Sequence, residues 1–352
     1  MADHKKTPAM KESSRPFAAG SRAGRTGLRA CVLRSARPML LPLVTTAALM
    51  PALAQAHGFV GQRFFPATLA TDDPFVADEL SFPTITSTRS SAEGDAPATR
   101  QTSAAIDFAR RITPDFGLAI GASRLRIAPD GQPAASGWDN VSIGAKYQLY
   151  TNAPHETILS IGADWDVGGT GGGSVGAERF STITPTVYFG KGFGDLATPE
   201  LRPFAVTGTL GVGIPSRAST TTTGVDPDTG LATSQVEHHP HVLQFGFAVE
   251  YSVPYLQSAV KDVGLAAPFD RMVPIVEFTL SRPLDRVDDR RTTGTINPGV
   301  LWAGRKVQLG LEAVIPMNSR SGHGVGVIAQ LHFFLDDLFP GTFGHPMAGD
   351  TR

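Results

Sequence analysis

The sequence predicts an all-β protein: a transmembrane, antiparallel, up-and-down β-barrel of about 12 strands. Three observations predict it. Segments of about ten residues carry apolar side chains at every second position, the gaps between them alternate between long and short, and no apolar run long enough for a spanning helix follows Ala56.

The leader comes first. Residues 1–37 are polar and basic, with Lys5, Lys6, Lys11, Arg15, Arg22, Arg25, Arg29, Arg34 and Arg37 against Asp3 and Glu12. An apolar stretch follows from Met39 to Ala54, interrupted by Pro42 and Pro51, and then the small-x-small site Ala54-Gln55-Ala56. These are the three parts of a secretory signal, so residues 1–56 are predicted to be removed after Ala56. The chain holds 31 Lys+Arg and 32 Asp+Glu; without the leader's nine and two, 22 and 30 remain, a net charge of about −8. An acidic exported chain argues against nucleic acid as a partner, because neutralising phosphates needs clustered Lys and Arg. The single cysteine, Cys31, lies in the leader, which leaves the exported part without disulfide or thiol chemistry.

In lipid, a chain without long apolar helices satisfies its backbone hydrogen bonds only as a closed barrel. The alternation is clearest in 140–150, where Val141, Ile143, Ala145, Tyr147 and Leu149 share one face and Ser142, Gly144, Lys146 and Gln148 the other. Residues 241–253 repeat it, with Leu243, Phe245, Phe247 and Val249 opposite Gln244, Gly246, Ala248 and Glu250. The predicted strands are 79–88, 103–111, 116–126, 140–150, 156–166, 180–190, 201–212, 241–253, 271–282, 293–302, 306–316 and 323–334. Pro83 interrupts the first, and a barrel of ten strands is the fallback. The gaps 89–102, 127–139, 167–179 and 213–240 are long, whereas 112–115, 151–155 and 303–305 are short. Long outer loops alternating with tight periplasmic turns fit an outer-membrane barrel. An even strand number also brings both ends of the barrel to the periplasmic side. The gap segment from Ser219 to Ser234, rich in Thr, Gly and Asp, reads as a mobile external loop.

With its leader, its alternating segments and the terminal segment Gly324–Phe334, the chain resembles small outer-membrane channel proteins, among them a transporter group named after a phenol-degradation pathway. The resemblance covers Leu80 to Phe334 as an architecture. It implies a place in the outer membrane in contact with its lipids, insertion by the barrel assembly machinery, and passage of a small-molecule solute without a cofactor. One departure is visible. Barrels of this kind commonly end on an aromatic residue, and here Asp336–Arg352 continues past Phe333 and Phe334 as a C-terminal periplasmic tail after a barrel of residues 79–335.

Read strand by strand, the polar face turns Asp107, Asp164, Asp166, Glu250, Glu277 and Glu312 inward, together with Lys146 and Arg111. Such an excess of acids favours cations in a pore; the same charges could instead pair across a filled barrel. The aromatics Trp165, Tyr251, Trp302 and Phe333 are expected near the membrane interfaces. Glu237-His238-His239-Pro240-His241 is the sharpest local cluster, and imidazoles at His238, His239 and His241 suit zinc, copper or nickel. A solvated loop is the competing reading. His57, as the first exported residue, joins an amine to an imidazole and could chelate copper. Residues 57–78 do not alternate and carry Phe59, Phe64, Phe65 and Phe75 beside Arg63, Asp72 and Asp73. They are expected either to enter the barrel as a plug or to strap its periplasmic mouth. No Gly-x-Ser-x-Gly elbow occurs, and Gly168–Gly173 lacks the Lys of a phosphate loop, so no catalytic residue is assigned. The alternative to a channel is a receptor that binds through its outer loops, chiefly residues 216–241.

Overall fold

The chain's structure, a computed structural model, describes residues 58–92, 94, 96–225, 230–285 and 292–349. The leader, its cleavage site after Ala56, Cys31 and His57 lie outside the described residues.

Two short strands, β1 (Phe59–Val60) and β2 (Arg63–Phe64), form a small hairpin ahead of the barrel. The barrel wall begins with β3 (Glu79–Ser90), β4 (Thr99–Arg111) and β5 (Phe116–Pro129). Beyond β5 come a short β6 (Ala135–Trp138), then β7 (Val141–Asn152), β8 (Thr157–Val167), β9 (Thr182–Gly192) and β10 (Phe204–Pro215). A ribbon of β11 (Ser219–Val225) and β12 (Ala232–His238) precedes β13 (Val242–Tyr251). The wall ends with β14 (Met272–Pro283), β15 (Thr293–Ala303), β16 (Val307–Pro316) and β17 (Gly326–Phe334). Setting aside β6 and the ribbon, twelve strands pair antiparallel with their sequence neighbours, and β17 closes on β3 with Phe334 opposite Glu79. The fold is therefore the closed 12-stranded antiparallel barrel that the alternation predicts.

Each predicted strand overlaps an observed one, because a period of two fixes which face is apolar, and a one-residue slip would invert it. Leu118, Ile120, Ile143, Ile183, Leu210 and Leu311 point out of the wall, each 43% exposed or more apart from Ile143 at 40%. Inside, Thr207, Glu250, Glu277, Asn297, Gln308 and Glu312 are buried. The loop segment 219–234 is a correction. Rather than the mobile external loop expected, its described residues form a two-stranded ribbon with Ser219 opposite His238 and Val225 opposite Ala232. A Thr-rich run carries the β-branched side chains that favour strands, and that propensity outweighs its polarity.

The tail is not loose either. Beyond Phe334 the chain makes two helical turns, and Met347 and Ala348 donate their N–H groups to the carbonyls of Arg111 and Ile112. Asp78 sits under this rim, fully buried, accepting from the Arg111 backbone N–H at 2.7 Å and pairing with Arg110 and Arg111 at 2.9 and 2.8 Å. Arg111 keeps the phase of Asp107 and Ala109 on β4 and, at the end of that strand, turns its side chain to Asp78 at the rim.

Residues 63–75 run along the inner wall. Arg63, with no exposed surface, pairs with Glu156 at 3.1 Å, donates to the Pro203 carbonyl at 3.0 Å and the Arg202 carbonyl, and lies 3.6 Å from the Tyr255 ring centre. Val60, Phe65, Phe75, Ile158 and Ala205 form a buried apolar cluster beside it. Further in, the Glu277 carboxylate accepts the N–H groups of Leu69 (2.6 Å), Ala70 (3.0 Å) and Thr71 (2.7 Å), as well as the Thr71 hydroxyl (2.8 Å). Gln308 donates to the Ala67 carbonyl at 2.7 Å. Three successive amides around one carboxylate form an anion nest whose bonds are charge-assisted.

The variant Glu277→Ala removes the acceptor and leaves three amides to find other partners. At roughly 1.5–3 kcal/mol for a hydrogen bond to a charged group, the amides of Leu69, Ala70 and Thr71 should exchange with solvent at least about tenfold faster than in the parent protein. Hydrogen exchange on the refolded protein measures this; unchanged protection would show that Glu277 does not hold the segment.

Candidate functional site: a divided barrel interior

Two cavities flank the inner segment. One, of about 370 Å³, is lined by Asp107, Gly121, Ser142, Gly144, Lys146, Asp164 and Tyr188 on the wall and by residues 67–73 of the segment. The other, of about 690 Å³, lies toward the long loops and is lined by Asp164, Asp166, Thr184, Thr186, Thr209, Gln244, Thr279 and Thr295. Ala70, Thr71, Asp72, Asp164 and Tyr188 line both, so residues 70–72 stand between them.

The wall builds the first cavity by placing small residues beside large charged ones. Asp107 pairs across with Gly121, Gly121 with Ser142, and Gly144 with Asp164. A Cβ at Gly121 would collide with Asp107 Oδ1, and one at Gly144 would meet Asp164 Oδ1 at 2.7 Å. The glycines therefore let both carboxylates fold flat over the wall, which a side chain at either position would prevent. Tyr188 is 2% exposed and donates its hydroxyl to Asp164 Oδ2 at 3.3 Å.

Lys146 crosses this cavity to the segment. Its ammonium reaches Asp72 Oδ2 at 2.9 Å, donates to the Asp73 carbonyl at 2.7 Å, and sits 4.6 Å from the centre of the Tyr188 ring. Asp73 itself is buried and accepts the Phe75 N–H at 2.9 Å. Burial first, then the charges of Glu79 and Asp72, push its carboxyl up to about 7, against the pull of Lys146.

The structure separates the inward residues read from the sequence into two groups. Asp107, Lys146, Asp164 and Asp166 line the cavities. Glu250, Glu277 and Glu312 are 1%, 0% and 1% exposed and line neither. Glu277 is spent on the segment's amides, and Glu250 and Glu312 lie in the same enclosed layer. A period of two tells in from out but not how deep a residue sits, so this division is invisible in one strand at a time. Asp72, Asp73 and Tyr188 are the contributors that strand reading leaves unassigned. Tyr188 carried a signal, since it continues the inward phase of Thr182, Thr184 and Thr186.

The histidine cluster does not converge. His239 stacks on Phe180 with ring centres 4.0 Å apart and meets the Thr220 hydroxyl at 2.8 Å. His241 turns to Asp285 at 2.7 Å, and His238 ends the ribbon at β12. Strand alternation and Pro240 send the three imidazoles to different surroundings, and among the described residues no group of three or more His, Cys, Asp or Glu side chains is placed to hold a metal ion.

No protein-family model matches the sequence, and no curated protein matches it. Among solved structures, the chain is similar to an outer membrane channel from Pseudomonas putida F1, at 10% identity and a TM-score of 0.49, over 76% of this chain and 99% of that one. It is similar to KdgM porin at 8% identity and a TM-score of 0.40, over 72% and 98%. It is also similar to the translocator domain of the autotransporter NalP from Neisseria meningitidis, at 11% identity and a TM-score of 0.42, over 74% and 88%. With TM-scores below 0.5, these likenesses carry no weight in deciding between functions.

Proposed function

We propose that this chain is an outer-membrane channel for small cationic or polar solutes, exported by its leader, inserted by the barrel assembly machinery, and narrowed from within by residues 67–75 acting as a plug. The observation that carries this reading is the division of the interior. A closed wall with an apolar outer band, including Ile120, Ile183 and Leu311, suits lipid. Within it, two cavities lined by carboxylates and hydroxyls meet at a segment that the wall grips through Glu277 and Lys146.

The charge of the path follows from its lining. Asp72, Asp107, Asp164 and Asp166 face the cavities, while Lys146 is already joined to Asp72 and Arg320 stands at the outer cavity. Carboxylates in a narrow lumen with low-dielectric walls concentrate cations and exclude anions. Glu250 and Glu312 are assigned here to the filled layer rather than to the path.

The ribbon favours a second reading, a receptor that works through its outer loops. β11 and β12 are exposed along nearly their whole length, and among the described residues they pair only with each other, which leaves both outer edges open. Open strand edges are ready partners for another chain.

Single-channel recording across a salt gradient tests the channel directly. The parent protein should give small cation-selective steps. The triple variant Asp107→Asn, Asp164→Asn, Asp166→Asn should move the reversal potential toward zero, and a Gly/Ser linker of equal length in place of residues 67–75 should raise conductance several-fold. Unchanged selectivity in the triple variant would sink the acidic path, and unchanged conductance in the linker variant would sink the plug. Deleting residues 219–238 separates the receptor reading: a channel keeps its conductance, whereas a receptor loses ligand binding.

A further inference from the structure

The ammonium of Lys146 occupies a site built from three different kinds of partner. A carboxylate oxygen of Asp72 lies at 2.9 Å, the carbonyl of Asp73 accepts at 2.7 Å, and the Tyr188 ring presents its face at 4.6 Å. The ring is steadied by its hydroxyl bond to Asp164. A carboxylate, a carbonyl and an aromatic face together recognise a compact cation with several N–H donors. A planar guanidinium is shaped for a fork of two acceptors, and a quaternary ammonium has no hydrogen to give the carbonyl. The chain thus carries a primary-amine cradle and fills it with its own side chain.

Position gives this pairing a consequence. Lys146 belongs to β7 of the wall, whereas Asp72 and Asp73 belong to the inner segment, so the ammonium ties one to the other. The cradle opens on the cavity that also holds Asp107 and Asp164. Asp164, on the adjoining strand β8, offers Lys146 another carboxylate whenever a second amine takes its place.

We propose that this cradle is a primary-amine binding site, occupied at rest by Lys146, and that an amine solute competes with Lys146 there and loosens residues 67–75 from the wall. The competition step rests on the channel reading; the cradle itself does not.

Hydrogen exchange of the refolded full exported chain in detergent tests it at the amides of Leu69, Ala70, Thr71 and Phe75. Lys146→Ala should speed their exchange about tenfold, the loss expected when a charged hydrogen-bond donor is removed. In that variant n-propylammonium, the fragment deleted beyond Cβ, should restore protection, while tetramethylammonium at the same ionic strength should not. In the parent protein the sign reverses, and putrescine should speed exchange where tetramethylammonium leaves it unchanged. Rescue without an effect on the parent protein would keep the cradle and overturn the competition. Equal responses to primary and quaternary amines in both proteins would overturn the proposal as a whole. Where Lys146→Ala does not fold, Lys146→Met keeps the stem without the charge and carries the same comparison. Exchange is read without any current, so a barrel that fails to conduct removes the channel reading and leaves the cradle to be judged separately.

Discussion

Pairing of the last wall strand with the first is the constraint on which the rest of the structure depends. With β17 joined to β3, the wall has no free edge, and its backbone groups are satisfied around the ring. Closure then dictates the distribution of side chains. Every strand must turn one set outward and the other inward, so a wall whose outer set is Ile, Leu and Val necessarily collects its Thr, Gly, Asp and Glu inside. The interior inherits more polar groups than a packed core tolerates, and the molecule deals with them in two ways. One side of the interior is filled, with Glu250, Glu277, Asn297, Gln308 and Glu312 enclosed. The rest is left as cavities, the smaller lined by Gly121, Ser142 and Gly144 and the larger by Gln244, Thr279 and Thr295.

The inner segment is what makes the filled side stable. A carboxylate removed from water is costly unless donors surround it, and Glu277 finds four on residues 69–71. The segment has the complementary problem, because amides with no strand partner cannot stay buried unbonded. Each solves the other's deficit. Such mutual satisfaction also explains why the segment lacks alternation: its residues meet wall side chains rather than lipid on one face and water on the other.

Much of this was legible in the sequence, for one physical reason. A strand between two unlike media writes its orientation into every second residue, which is why 140–150 and 241–253 could be placed within a few residues and Lys146 and Asp164 assigned to the inside. What was not legible depends on contacts between distant parts of the chain. The partnership of Glu277 with residues 69–71, and of Lys146 with Asp72, joins positions that no local pattern relates. The place of Arg111 at the rim has the same origin, since Asp78 and the tail that hold it there come from opposite ends of the barrel chain. The ribbon at 219–238 was missed for a different reason. Its richness in Thr, Gly and Asp reads as a mobile external loop, whereas the β-branching of the threonines favours paired strands.

The rim also bears on where movement can occur. Asp78, immediately before β3, is fixed by Arg110 and Arg111, and Arg63, ahead of the segment, is fixed by Glu156, two backbone carbonyls and the face of Tyr255. The segment is therefore pinned at both ends by guanidinium groups. Between the pins it is held by Glu277, which accepts at residues 69–71, by Gln308, which donates to the Ala67 carbonyl, and by Lys146, which meets Asp72 and the Asp73 carbonyl. On the plug reading proposed above, residues 67–75 bow away from the wall without leaving the barrel, because the contacts of Arg63, Arg110 and Arg111 lie outside them. On the same proposal, the contact most open to competition by a cation is the pair of Lys146 and Asp72, because Asp72 lines both cavities.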